Sequence, residues 1–255
     1  MHPLASRISV AVSLFFWCQQ VVGQAPRPAP DPVAASIALL HQQYTAAAVD
    51  YPQLFNGTEY VDYAKRYYKS IGHQFFLSPE GQAGSASYNG HYFPDLTLYY
   101  DAVLDQVVLR QEPNPFTVTL VSEYVREFTL ADHRFIRLVA DSLTGPAVRT
   151  GYYEVLVDSD TQAQLLAKRA KRQQERIVDS KVNIEFIEAE RLFIRKAGQY
   201  HPVSSKGSVT SLFSDRGKQV QSYIRTNKLK FKKATRETAI TQLTRYYNSL
   251  GAGAQ

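Results

Sequence analysis

The chain has 255 residues, with 29 Lys or Arg against 23 Asp or Glu for a formal charge of +6, and a single cysteine, Cys18. One thiol cannot close an intrachain disulfide or furnish a cysteine-rich zinc site, so stability must come from an ordinary hydrophobic core. A chain of this length buries roughly 70% of its unfolded surface and can build one.

In chain order, the first element expected is a secretory signal peptide over residues 1–23. Arg7 gives it a basic start, residues 8–17 an apolar stretch, and Val21 and Gly23 the small side chains that precede a cleavage site. The apolar stretch stops at Gln19 and Gln20, short of the roughly 20 apolar residues that span a bilayer. Cleavage between Gly23 and Gln24 is therefore expected, giving an exported protein, periplasmic or extracellular, that has lost its cysteine. Phe15, Phe16 and Trp17 are too bulky for a lipoprotein signal that would retain Cys18.

Residues 24–32 alternate proline with small or polar residues, which predicts an extended tether. Asp31 before Pro32 then marks a helix start, and Val33, Ile37, Leu40, Tyr44 and Ala47 share one apolar helix face. From about His73 to Val203 the period changes to short apolar or alternating runs between turn residues, as in an antiparallel meander. Strands are expected at 96–100 and 107–110, at 128–130 and 134–138 around a three-residue turn, at 152–157 and 164–167, and at 182–187 and 192–195. Residues 81–87, rich in Gly and Ser, read as a loop.

Beyond about residue 205 the spacing is helical again. Asp215 is expected to cap a helix carrying Val220, Tyr223 and Ile224, and Thr235 one carrying Ile240, Leu243, Tyr247 and Leu250, ending before Gly251. The fold class expected is α+β and β-dominated. A curved antiparallel meander sheet of roughly 8–10 strands is flanked by an N-terminal helix and C-terminal helices, in one domain over 33–250 with a short tail over 251–255.

Several strings accompany this order of elements: Leu-Phe-Asn-Gly-x-Glu-Tyr at 54–60, Gly-His-x-Phe-Phe at 72–76, Tyr-Asn-Gly-x-Tyr at 88–92 leading to Tyr100 and Asp101, and Tyr-Ile-x-x-Asn-Lys-Leu at 223–229 before Tyr246 and Tyr247. In these the chain resembles uncharacterised exported proteins of Gram-negative bacteria, over nearly its whole length after the signal. The resemblance implies export and this architecture, and brings no activity, cofactor or residue role with it.

Motifs for phosphate cradling, zinc hydrolysis and serine catalysis are missing. Gly251 and Gly253 form the one Gly-x-Gly, in the tail, and residues 84–87 lack the second glycine of a nucleophile elbow. Asp101 with Asp105, and Asp158 with Asp160, have the pairing that glycoside hydrolysis uses, but aspartate at turns is explained by bonds to its own backbone. Asn56 to Thr58 reads as a surface turn, and His73 and His91, beside aromatic residues, as structural. No catalytic, cofactor-binding or metal-ligating residue is expected, and no cofactor.

Two basic clusters stand out. Lys168, Arg169, Lys171, Arg172 and Arg176 form the denser one, and are the expected contact with an anionic surface. Arg225, Lys228, Lys230, Lys232, Lys233 and Arg236 form the second. An anionic envelope component or glycan is the expected partner, not nucleic acid, and no transmembrane segment is expected in the mature chain. The 17 tyrosines, several in adjacent pairs, would place rings on opposite faces of a strand. Together these features predict a non-catalytic binding or envelope-associated module, with a periplasmic carrier of a lipid or other apolar ligand as the alternative and a hydrolase as a second.

Overall fold

The computed structural model describes residues 52–110, 116–141 and 145–252. The expected signal, tether and N-terminal helix lie outside these residues.

Fourteen strands form two sheets among the described residues. Eleven make one antiparallel sheet in the order β1-β6-β5-β4-β3-β7-β8-β9-β10-β13-β14. Its inner hairpins come where alternation predicts them. β4 (His91–Asp101) returns as β5 (Gln106–Arg110), and β9 (Gly151–Val157) returns as β10 (Gln164–Lys168). The connection from β7 (Val125–Leu130) to β8 (His133–Leu138) is two residues, not three. Leu130 pairs with His133, and Ala131 takes a left-handed φ of 50°.

The stretch expected to be a loop is instead a central strand, β3 (Gln82–Tyr88), held between β4 and β7. Turn propensity misleads here because small residues serve packing. A Cβ on Gly84 would lie 2.1 Å from the carbonyl oxygen of Thr129, so the chain needs glycine where the backbones crowd. Register shifts in β3 against both neighbours mark bulges, which bend strands. The sheet is open at both ends, and it is not a closed barrel among the described residues. One edge is β1 (Thr58–Glu59), only two residues long, beside β6 (Thr117–Thr119). The other, β14 (Gln199–Val203), contains Pro202.

Both faces of the sheet are covered, and adjacent tyrosines show it. Tyr100 and Tyr152 enter a large aromatic cluster with Tyr88, Phe128 and Phe135, while their neighbours Tyr99 and Tyr153 enter smaller clusters on the other side. Phe128 and Phe135 stack at 4.7 Å across β7 and β8. Three helices follow the sheet: α1 (Lys206–Leu212), α2 (Gly217–Thr226) and α3 (Arg236–Ala252). Val209, Val220, Ile224, Ile240, Leu243 and Tyr247 pack on Leu165, Ala167, Leu192 and Ile194 of the sheet. Asp215 does not cap α2. It lies in a 3-10 turn before it, held by Lys196 and Tyr247. Helix α3 runs through Gly251, where a stop was expected.

The second sheet, β11-β12-β2, joins β11 (Lys171–Val178) and β12 (Lys181–Glu188) to β2 (Lys69–Ile71), the last pairing in parallel. Its origin is visible in the register. Lys168 of β10 faces Arg191 of β13 (Arg191–Lys196), and Lys171 of β11 faces Glu188 of β12. The four strands are thus one long two-stranded ribbon in unbroken register, kinked at residues 169–170 and 189–190 where it leaves the main sheet. Its turn, Asp179 and Ser180, has φ of 48° and 59°, as a two-residue hairpin turn of type I′ requires.

Candidate functional site

The kink in the ribbon builds the site. β9 alternates, so Glu154 lies on the same face as Tyr152, and its direct neighbours are Phe135 on β8 and Ala167 on β10. Phe135 belongs to the aromatic cluster and Ala167 to the cluster under the helices. A carboxylate therefore sits at the seam between two hydrophobic cores, its side chain 4% exposed. Burial of a lone carboxylate at such a place is expensive, and two partners compensate it. Nδ1 of His133 bonds Oε1 of Glu154, and Nε of Arg169 bonds Oε2.

Arg169 is the hub. Its side chain is 7% exposed, and its guanidinium also reaches Glu237 at the start of α3 at 2.7 and 2.9 Å and Glu190 across the ribbon at 2.9 Å. Burial works to lower its pKa, but Glu237, Glu154 and Glu190 more than offset this and raise it. One guanidinium thereby ties sheet, ribbon and helical layer together. Its neighbour Lys171 donates to the carbonyls of His73 at 2.8 Å and Phe75 at 2.6 Å, with its pKa pulled down by burial.

Above this cluster lies a cleft of about 310 Å³, with His133, Arg169, Lys171 and Glu188 on its polar side and Phe76 and Leu77 on the other. The ring of Phe76 meets that of His133 edge-on at 5.1 Å. An ionised carboxylate only accepts, so Nδ1 of His133 donates to Glu154 and Nε2 is the ring nitrogen left for other contacts. His73 also lines the cleft. Its Nδ1 is buried without a hydrogen-bond partner, and its pKa is lowered by burial and then by Lys171.

The structure divides the five residues of the expected anionic-surface contact. Of its five residues, Lys168, Arg169 and Lys171 are used inside the protein, Lys168 by Asp105 at 2.6 Å. Only Arg172 and Arg176 are exposed, and Arg176 pairs with Glu185 at 2.9 Å. The cause is strand geometry at the kink, which turns successive side chains inward just where the chain changes sheets. The second cluster keeps its charge outside. Arg225, Lys228, Lys230, Lys232 and Lys233 are all exposed.

Asp101, Asp105 and Asp158 of the two aspartate pairs each have partners within the fold. Asp101 accepts from the backbone of Val103 and Leu104, both at 2.9 Å, and from the hydroxyls of Tyr60 at 2.8 Å and Tyr63 at 3.2 Å. Asp105 accepts from Tyr100 at 2.7 Å, on the far side of the turn. Asp158 pairs with Arg134, 2.7 Å away. Asn56 accepts from Tyr88, and His91 is exposed beside Phe93. His133, Glu154, Glu190 and Glu237, at the cleft and beneath it, were not expected as site residues. One signal was present: Glu154 is the lone charge in the apolar strand Gly151–Val157, and a charge so placed demands a buried partner.

The architecture is thus that of a β-dominated protein with an open antiparallel sheet, a ribbon-borne second sheet and a helical layer, with the cleft beside the kink between the two sheets. No protein family matches the chain, and neither curated proteins nor solved structures provide a match. No helix among the described residues is long and apolar enough to cross a membrane.

Proposed function

We propose that the protein is an exported, non-catalytic binding module whose cleft takes a small polar ligand. The observation that carries this reading is the internal pairing of the charges at the base of the cleft. Glu154, Glu190 and Glu237 are bound to Arg169, and Lys171 is bound to backbone carbonyls. Nε2 of His133 and the carboxylate of Glu188 remain for recognition, beside the apolar wall of Phe76. A polar cleft with few convergent groups suits orientation of a small ligand. The alternative of an apolar carrier draws no support from a lining this charged.

Thermal-shift screening of the purified protein against small polar metabolites tests the reading. A ligand should raise the melting temperature of the wild type and leave His133→Ala unmoved. One observation favours the hydrolase as a second reading, because a histidine oriented by a buried carboxylate is two-thirds of a nucleophilic triad. Among the described residues no hydroxyl bonds to His133, so the third member would have to be the substrate or water. Turnover of an ester, peptide or glycoside panel that is lost in both His133→Ala and Glu154→Gln would replace binding with catalysis. Export is tested separately by N-terminal sequencing of protein from fractionated cells, with Gln24 expected first.

A further inference from the structure

Between Arg216 and Arg236 the chain carries eight basic residues and no acidic one. Two of the eight are occupied: Arg236 donates to the carbonyl of Ser204 at 3.1 Å, and Arg216 lies over the ring of Tyr247. Lys233 lines a groove that also holds Glu190 and Glu237. Arg225, Lys228, Lys230 and Lys232, by contrast, are exposed and have no ion-pair partner among the described residues.

The segment joining α2 to α3 alternates Lys228, Leu229, Lys230, Phe231, Lys232. Leu229 and Phe231 pack against the core under the helices, which pins the loop and leaves the three lysines outside. These lysines span four residue steps, hence at most ~15 Å along the chain. That is under two Debye lengths at physiological salt, each ~8 Å, so an approaching surface meets them as one charge.

The start of the loop is held in a costly conformation. Helix α2 ends with Lys228 N–H bonded to the carbonyl of Arg225 at 3.2 Å and Leu229 N–H to that of Ile224 at 3.1 Å, with Lys228 at φ 51°. This is a Schellman end, in which the left-handed residue is usually glycine. A lysine there accepts strain that glycine would avoid.

We propose that Lys228, Lys230 and Lys232, with Arg225, form a docking surface for an anionic lipid bilayer. The chemistry favours a diffuse anionic sheet over other polyanions. Three of the four groups are lysines, which act as point charges without the bidentate fork that selects individual phosphates. Nearby rings are not free to stack on sugars or bases either. Phe231 faces the core, and Tyr223 is stacked on Tyr246 at 3.9 Å. The surface is separate from the cleft, so either proposal can fail without the other.

Co-sedimentation of the full chain, freed of any signal peptide, with vesicles of phosphatidylglycerol in phosphatidylcholine is the test. Binding is expected at ~0.05 M salt, strongly weakened at ~0.3 M, and not seen with phosphatidylcholine alone. A basic side chain near an anionic surface contributes roughly fivefold in affinity, so Lys228→Gly/Lys230→Gln/Lys232→Gln should bind about 100-fold more weakly. Lys228→Gly alone should bind about fivefold more weakly while melting at a higher temperature than wild type, an opposition that mere loss of folding cannot produce. Arg172→Gln/Arg176→Gln should bind as wild type does. Wild-type protein that ignores anionic vesicles at low salt, or a triple variant that binds them equally, overturns the proposal. So does retention on dextran sulfate without any binding to vesicles, which would put a glycan in place of the lipid.

Discussion

Arg169→Met removes the hub of the charge cluster and keeps most of its volume. The substitution leaves Glu154, at 4% exposure, with His133 as its one remaining side-chain partner among the described residues, and frees Glu190 and Glu237 to repel each other at the mouth of the ribbon. Loss of one partner from a buried pair costs about 3–5 kcal/mol, set against a total stability of about 5–15 kcal/mol. For a domain of this size each kcal/mol is worth about 2–4 °C, so the melting temperature should fall by roughly 6–20 °C. The only tryptophan, Trp17, lies in the expected signal, so far-UV circular dichroism in urea or on heating is the assay of choice. Addition of Glu154→Gln to Arg169→Met should recover a substantial part of the loss, since the buried charge is then gone. A single-variant loss below ~1 kcal/mol, the range of a surface ion pair, would refute the assignment of Arg169 as an internal cross-link.

Three further outcomes are expected. Gly151→Ala should destabilise by at least ~2 kcal/mol in urea titration, because Gly151 has φ 148° and a Cβ there would lie 1.9 Å from Oδ2 of Asp105, splitting its bond to Lys168. Tyr100→Phe should cost about 1–3 kcal/mol by the same measurement, through loss of the buried hydroxyl bond to Asp105, with little change in packing. His73 has its pKa lowered in the fold from 6.5. As pH falls below that value the unfolded chain takes the proton first, so stability declines down to the folded pKa. His73→Gln should flatten the fall in stability as pH drops below 6.5, and an unchanged slope would mean that another group is responsible.

Where hydrophobic period and turn chemistry agree, the fold could be read from residues alone. Strands β4, β5, β9, β10, β12 and β13 and the helices on Ile224 and Leu243 are such cases. The failures have distinct physical causes. Residues 83–87 are small because β3 is squeezed between two strands, and small residues imitate a loop. Lys171–Val178 has little apolar alternation because β11 is an edge strand exposed on most of its length, so it read as a charge cluster. The charge cluster beneath the cleft was hidden because His133, Glu154 and Glu237 come from two strands and a helix and Arg169 from the kink, 68 positions from Glu237. Only the kink in the ribbon brings them together.

The two margins of the main sheet bear on how copies of this protein tolerate crowding. β1 offers two residues and β14 interrupts its outer rim with Pro202, so neither is a ready template for a neighbouring chain. β11 is different, eight residues long with one side unpaired. Arg172, Glu175 and Arg176 along it are charges of the kind that discourage edge-to-edge pairing, and neutralising them would leave an eight-residue edge open to a second copy.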